Sequence, residues 1–219
     1  MRFDHRVVLF DLDGTISDNS VGIATGIVKA MAAFGIEISH EEAAKTIGPP
    51  LRVTFPEMGI DPHHVEAAVD AYRDYYHEVG WAENVLYPGV SEVIHELAST
   101  RRVLATATSK PEPSARRILE HFGLADVFDY IGAATLDGSR DHKEDVVRHT
   151  LEVVGADPAD AVMIGDRLHD VEGARKAGVH ASIGVTWGFA EAGELEAAGA
   201  TLVVNDTIQL AKALSLGGS

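Results

Sequence analysis

A stretch near the amino terminus, Val7 to Thr15 (VVLFDLDGT), constrains the fold of this chain more than any other segment. Val7, Val8, Leu9 and Phe10 form an unbroken β-branched and aromatic run, the pattern of a strand buried on both faces. Two carboxylates follow, Asp11 and Asp13, so the strand crosses a core and delivers charge to its carboxyl edge. In open parallel sheets ligands bind at that edge. Side chains alternate along a strand, which places Asp11 and Asp13 on one face and Leu12 on the other. Gly14 then permits a sharp turn. Two carboxylates so close repel each other, and a cation is expected beside them.

Apolar runs that end in polar groups recur downstream. Val103 to Thr108 reads as a strand that terminates in Thr108-Ser109-Lys110. Tyr130 to Leu136 reads as a third strand, followed by Asp137-Gly-Ser-Arg140 and by Lys143 near the beginning of a helix. The helix macrodipole disfavours a cation there, so Lys143 needs a neighbouring phosphate or carboxylate. Asp160 to Asp166 is a further strand ending in an acid, with Asp170 one helical turn on. Ala181 to Thr186 and Thr201 to Val204 complete the strand candidates, and Trp187-Gly188 closes the first of these. Helical spacing separates the strands, with glycine stops at Gly123 and Gly178. Alternating strands and helices predict a Rossmann-like α/β core, a parallel sheet covered on both faces.

Between Ile16 and Leu86 no strand is expected. Val21, Ala24, Ile27, Val28 and Met31 recur at helical spacing. Ser39-His-Glu-Glu42 reads as a capping box, and Asp61-Pro62 as a helix start. Val65, Ala68, Val69, Tyr72, Tyr76 and Val79 form the apolar stripe of a longer helix. The expected organisation is therefore a core built from 1–15 and 87–219 with an all-α insertion over 16–86. Ile47-Gly-Pro-Pro-Leu-Arg52 reads as a loop within the insertion. Arg52 is a candidate contact for an anionic substrate group, against the alternative of a solvated surface arginine. Tyr72, Tyr75 and Tyr76 are read as packing between helices in preference to a base-binding pocket.

The ordered set DLDGT, TS, Lys143 and GDRLHD resembles the haloacid dehalogenase-like hydrolases over essentially the whole chain, with the insertion similar to their helical cap. The resemblance implies a phosphatase that works through an aspartyl-phosphate. Asp11 would be the nucleophile and Asp13 the general acid and base. Thr108, Ser109 and Lys143 would bind the phosphoryl group, with Arg140 as a weaker competitor for the lysine's role and a second candidate for substrate contact. Asp11, Asp13 through its main-chain carbonyl, and Asp166 would hold a metal, supported by Asp170. Oxygen ligands alone suit Mg²⁺ rather than zinc. The acid at Asp13 disfavours dehalogenation, because a leaving halide needs no proton.

The chain resembles the phosphoglycolate phosphatase group of that family over essentially its full length, and the GPPL loop and the GSR-x-x-K segment resemble a 5′-nucleotidase-like subgroup, which implies a phosphoglycolate- or nucleotide-type monoester as substrate. A phosphomutase, a pyrophosphatase or a non-catalytic binding protein on the same scaffold are the alternatives. The chain of 219 residues has 18 Lys+Arg against 34 Asp+Glu, a formal charge of -16. Such a surface repels nucleic acid and anionic membranes. The expected partner is thus a small phosphate ester, with the protein a monomer or small homo-oligomer. The absence of Cys excludes disulfides and thiolate metal sites. No leader or membrane-spanning apolar run is read, so a cytoplasmic location is expected.

Overall fold

A computed structural model describes residues 1–216. The chain divides into two compact units, one formed by Met1–Ser17 with Leu86 onward, the other by Asp18–Val85.

The first unit holds a parallel sheet. Its strands are β1 (Val7–Phe10), then, beyond the two-residue β2 (Ser17–Asp18) and β3 (Val85–Leu86), β4 (Val103–Pro111), β5 (Tyr130–Ala134), β6 (Ala161–Gly165), β7 (Ala181–Val185) and β8 (Leu202–Val204). The spatial order is β5-β4-β1-β6-β7-β8, with every neighbouring pair parallel. β1 sits between β4 and β6, where Val7 faces Val103 on one side and Ala161 on the other. A strand so flanked has no solvent-facing edge, which is why its four residues are all buried and all apolar.

The two faces of β1 feed two cores. Val8 and Phe10 pack with Ile94 and Leu97 of α5 (Val90–Ala98), Ile118 and Leu119 of α6 (Glu112–His121), and Leu210 of α10 (Thr207–Ala213). Val7 and Leu9 pack with Val146, Val147 and Leu151 of α7 (Lys143–Val154), and with Ala174 of α8 (Leu168–Lys176). Each fully buried aliphatic or aromatic side chain here contributes about 1.5–3 kcal/mol relative to exposure. The expected α/β class and parallel sheet are what the chain adopts. Asp206 caps α10 by accepting the Gln209 N–H at 2.7 Å, as its position before the helix suggests. α9 (Glu194–Ala198) lies in a stretch without a clear sequence periodicity.

The second unit is built from α1 (Ser20–Ala33), α2 (His40–Ala44), α3 (Leu51–Glu57) and α4 (Val65–Glu78). Ser39 and Glu42 form the expected capping box. Asp61 caps a 3₁₀ turn, Pro62–His64, that runs into α4. Tyr72 stacks on Tyr76 with ring centroids 5.6 Å apart, and the Tyr75 hydroxyl donates to Glu83 at 2.6 Å. The three tyrosines pack within this unit, as their spacing predicts.

Two local expectations are corrected. Arg52 lies on α3, not in a loop: Gly48-Pro49-Pro50 breaks the chain, and the helix begins at the next residue. Its brevity and the internal Pro56, which lacks an N–H to donate, hid the helical pattern. The span 16–86 is also not free of strand. β2 and β3 pair as a two-stranded ribbon where the chain passes between the units, too short for any alternation to register. Among the described residues no helix is long and apolar enough to cross a membrane.

Gly132 of β5 marks the tightest approach in the sheet. A Cβ there would collide with the Thr150 hydroxyl and with the Thr106 carbonyl of β4. Gly132→Ala is expected to lower unfolding stability by about 1–3 kcal/mol, read as a shift of the urea midpoint.

Candidate active site

The carboxyl edge of the sheet collects polar groups because β1, β4 and β6 run in the same direction and end side by side. Asp11 extends the ladder one step past β1, its N–H donating to Ile164 O at 2.9 Å. The chain then turns around Leu12, whose carbonyl accepts the N–H groups of Ile16 and Ser17 at 2.9 and 3.1 Å. Gly14 adopts φ +82°, and a Cβ on it would collide with the Asp166 carboxylate. The glycine is needed both for the left-handed turn and for the closeness of the acids.

Lys143 is the first residue of α7 and reaches inward. Its Nζ lies 2.9 Å from Asp11 Oδ1 and 2.8 Å from Asp170 Oδ1, and donates to Ala107 O at 2.9 Å. The ammonium thus has one carbonyl to donate to and two carboxylates within ion-pair distance. Burial alone would lower the lysine's pKa, but the charges of Asp11 and Asp170 outweigh it and hold the group above its ordinary value. The unfavourable dipole position is thereby explained: two carboxylates compensate it.

Asp170 is buried, and that burial, reinforced by the charge of Asp11 and opposed by Lys143, pushes its carboxyl up to about 6. Its Oδ2 accepts the Arg167 N–H at 3.0 Å. Asp166 is fully buried at the end of β6, and desolvation with the charges of Asp170 and Asp11 raises it well above the carboxylate range. It accepts the Phe189 N–H at 2.7 Å and the Thr15 hydroxyl at 3.1 Å. Asp11, Asp166 and Asp170 each offer an oxygen within 4.8 Å of the others. Three buried carboxylates face one lysine. This excess of negative charge, carried on hard oxygen donors, fits a divalent cation.

Asp13 points elsewhere. Its carboxylate pairs with Lys110 at 2.7 Å, and 23% of its side chain stays accessible against 6% for the lysine. Burial raises its pKa, with Lys110 opposing. Thr108 is buried on β4, its hydroxyl accepting the Lys110 N–H at 3.2 Å, while Ser109 is exposed.

The sheet thus brings Asp11, Asp13, Thr108, Lys143, Asp166 and Asp170 to one edge. The acid cluster adds the Asp170 carboxylate, expected only to support the metal, to Asp11 and Asp166, while the Asp13 side chain pairs with Lys110. Arg140 donates its Nε to Ala133 O at 3.1 Å, and Lys143 alone of the two makes the contact with Asp11. Arg52 lies in the helical unit, bound through two nitrogens to Glu66 at 2.7 and 2.9 Å. His169 is exposed, and what burial it has lowers its pKa.

Three partners were not anticipated: Lys110, Thr15 and the Phe189 amide. Lys110 was discoverable, since period two along β4 puts it on the same side as Thr108. The Phe189 contact depends on Gly188, where a Cβ would strike Gly14 O and Asp166. Nothing in the sequence pairs those distant glycines.

Residues 8–184 match the family model described as haloacid dehalogenase-like hydrolase. The chain belongs to this family. It is 39% identical over 201 residues to the tyrosine-protein kinase PtkA of Mycobacterium tuberculosis, spanning 91% of this chain and 68% of that protein. A 5′-nucleotidase of Pseudomonas aeruginosa is 40% identical over 192 residues, 87% of this chain and 86% of that one. Among solved structures, a predicted phosphatase from Clostridium acetobutylicum superposes with a TM-score of 0.90 at 41% identity. That match covers 95% of this chain and 97% of the other. Proteins named phosphoglycolate phosphatase and pyrophosphatase are also among its family relatives.

Lys143→Ala is expected to destabilise the metal-free protein by about 3–5 kcal/mol at pH 7, because it strands buried carboxylates. Asp170 has a raised pKa, so its ionisation in the folded state works against folding as pH rises through about 6. The loss caused by the substitution therefore shrinks on acidification to pH 5, which denaturant titrations at the two pH values will measure.

Proposed function

We propose that this hydrolase is a Mg²⁺-dependent phosphatase of small phosphate monoesters, acting through an aspartyl-phosphate on Asp11. The observation that carries the reading is the division of labour between two acids two residues apart. Asp11 lies 2.9 Å from the Lys143 ammonium, whereas Asp13 pairs with a different lysine, is partly accessible and has its pKa raised by burial, which suits it to carry a proton. A nucleophile and a proton donor on one strand end are what cleavage of a phosphate ester requires.

In the first step an Asp11 oxygen bonds to phosphorus as the ester P–O bond breaks. Asp13 transfers its proton to the departing alkoxide oxygen. In the second, the Asp13 carboxylate takes a proton from water as that water attacks phosphorus, and the bond to Asp11 breaks to release inorganic phosphate. Lys143, Thr108 and Ser109 bind the phosphoryl oxygens, where fixed charge and hydrogen bonds do most of the work in this chemistry. Asp11, Asp166 and Asp170, with the Asp13 main-chain carbonyl, are the groups that would hold Mg²⁺, which when bound offsets repulsion between carboxylate and phosphate.

We assign the helical unit the role of a specificity cap, and phosphoglycolate and nucleoside monophosphates as the first substrates to try. The names of the nucleotidase and phosphoglycolate phosphatase relatives support that choice. The PtkA relative adds phosphotyrosine to the panel.

Phosphate release from such a panel with Mg²⁺ is expected for at least one monoester and is expected to vanish in Asp11→Asn. Turnover that survives this substitution would sink the mechanism. Asp13→Asn should cost about 10²–10⁴-fold on alkyl phosphates. Chelation should stop turnover. The melting-temperature rise produced by a fixed Mg²⁺ concentration should be larger at pH 7.5 than at pH 5, because the carboxyl of Asp170, at about 6, must give up its proton to the metal's advantage.

A further inference from the structure

We propose that Lys110 is a positioning residue for the proton transfer, fixing one oxygen of Asp13 so that the other is presented to the leaving group. The inference rests on the mechanism above and adds to it a residue outside the set of phosphoryl- and metal-binding groups.

Lys110 lies at the far end of β4, two residues past Thr108. The register between β4 and β5 shifts between Thr108 and Pro111, so the last turn of the strand leaves the regular ladder. Thr108 anchors the departure by accepting the Lys110 N–H at 3.2 Å. Alternation keeps Lys110 buried while Ser109 faces solvent. Its side chain, 6% accessible, ends 2.7 Å from Asp13 Oδ2. A lysine loses much side-chain entropy and hydration in such a place, so the contact that holds it there must be favourable.

The two oxygens of Asp13 are consequently unlike. Oδ2 is engaged by the ammonium, while Oδ1 is buried and has no hydrogen-bond partner. A buried carboxylate oxygen without a partner is costly, and such exceptions call for an explanation. A leaving-group oxygen supplies one. With Oδ2 held, rotation about the Cβ–Cγ bond is stopped, and the proton sits on Oδ1 for transfer to the ester oxygen as its bond to phosphorus breaks. Lys143 does not substitute, because its Nζ is paired with Asp11 and Asp170 at 2.9 and 2.8 Å and donates to Ala107 O.

The test exploits leaving-group chemistry. An alkyl phosphate needs a proton on the departing oxygen, whereas p-nitrophenolate departs without one. Lys110→Met, Asp13→Asn and the double variant would be assayed on both ester types with Mg²⁺, reading kcat/KM, which stops at release of the alcohol. Lys110→Met is expected to lower kcat/KM for alkyl esters about 10–100-fold, part of the effect of general acid catalysis, and to change it about threefold or less for p-nitrophenyl phosphate. In the Asp13→Asn background the same change should cost nothing further, since its target is gone. Equal losses on both esters would overturn the proposal and make Lys110 a phosphoryl-binding group. An additive loss in the double variant would also overturn it. Lys110→Arg, which keeps the charge, should recover part of the alkyl-ester activity; no recovery with a normal thermal melt would count against positioning by charge. If the wild-type enzyme hydrolyses neither ester nor any member of the panel, the phosphatase reading itself fails, and the proposal falls with it.

Discussion

The carboxyl edge of this sheet depends on one lysine. Lys143 lies between Asp11 and Asp170 and is the single cation among three buried acids. Without it, like charges in a desolvated space would repel or take up protons. With it, two of the carboxylates lie 2.9 and 2.8 Å from a cation, while the pKa values of Asp170 and Asp166 still stand above the ordinary carboxylate range. The edge is therefore neutralised only in part, a state suited to receiving a divalent cation and then a phosphate.

The rest of the fold serves that arrangement. β1 has neighbours on both sides and buries both faces, so its apolar side chains anchor two helical layers. α7 starts with Lys143 and holds its other face on the core through Val146, Val147 and Leu151. Gly173 of α8 lets the stem of Lys143 pass, since any Cβ there would run into it. Gly14 and Gly188 do the same for Asp166. The acids are held close by backbone that has no room for side chains, and stability is given up at the edge for the sake of the chemistry.

A division between two ion pairs follows. Lys143 and Asp11 form one, Lys110 and Asp13 the other, and both acids come from the same five-residue segment. The end of β4 supplies Lys110 and the first residue of α7 supplies Lys143, so each acid meets a different cation although they are only two residues apart. Geometry of this kind gives two residues of one type different electrostatic surroundings.

Much of this was legible in the sequence. The run VVLF has no polar residue, so it had to be an interior strand, and the acids after it had to sit at a sheet edge. The same logic located Thr108 and Asp166, because each ends an apolar run. Lys143 was legible because a lysine opening a helix is out of place unless acids face it. Other features were decided by the tertiary structure alone. α3 was obscured by prolines on both sides of Arg52, and the pairing of that arginine with Glu66 joins residues of two helices. The preference of Asp13 for Lys110, and of the metal-fitting cluster for the Asp170 carboxylate, turn on distances across the sheet edge. Sequence determines which residues arrive at an edge, because alternation and burial are local. Which of several like charges pairs with which cation is set by ångström-scale separations between strands, and only the folded chain defines those.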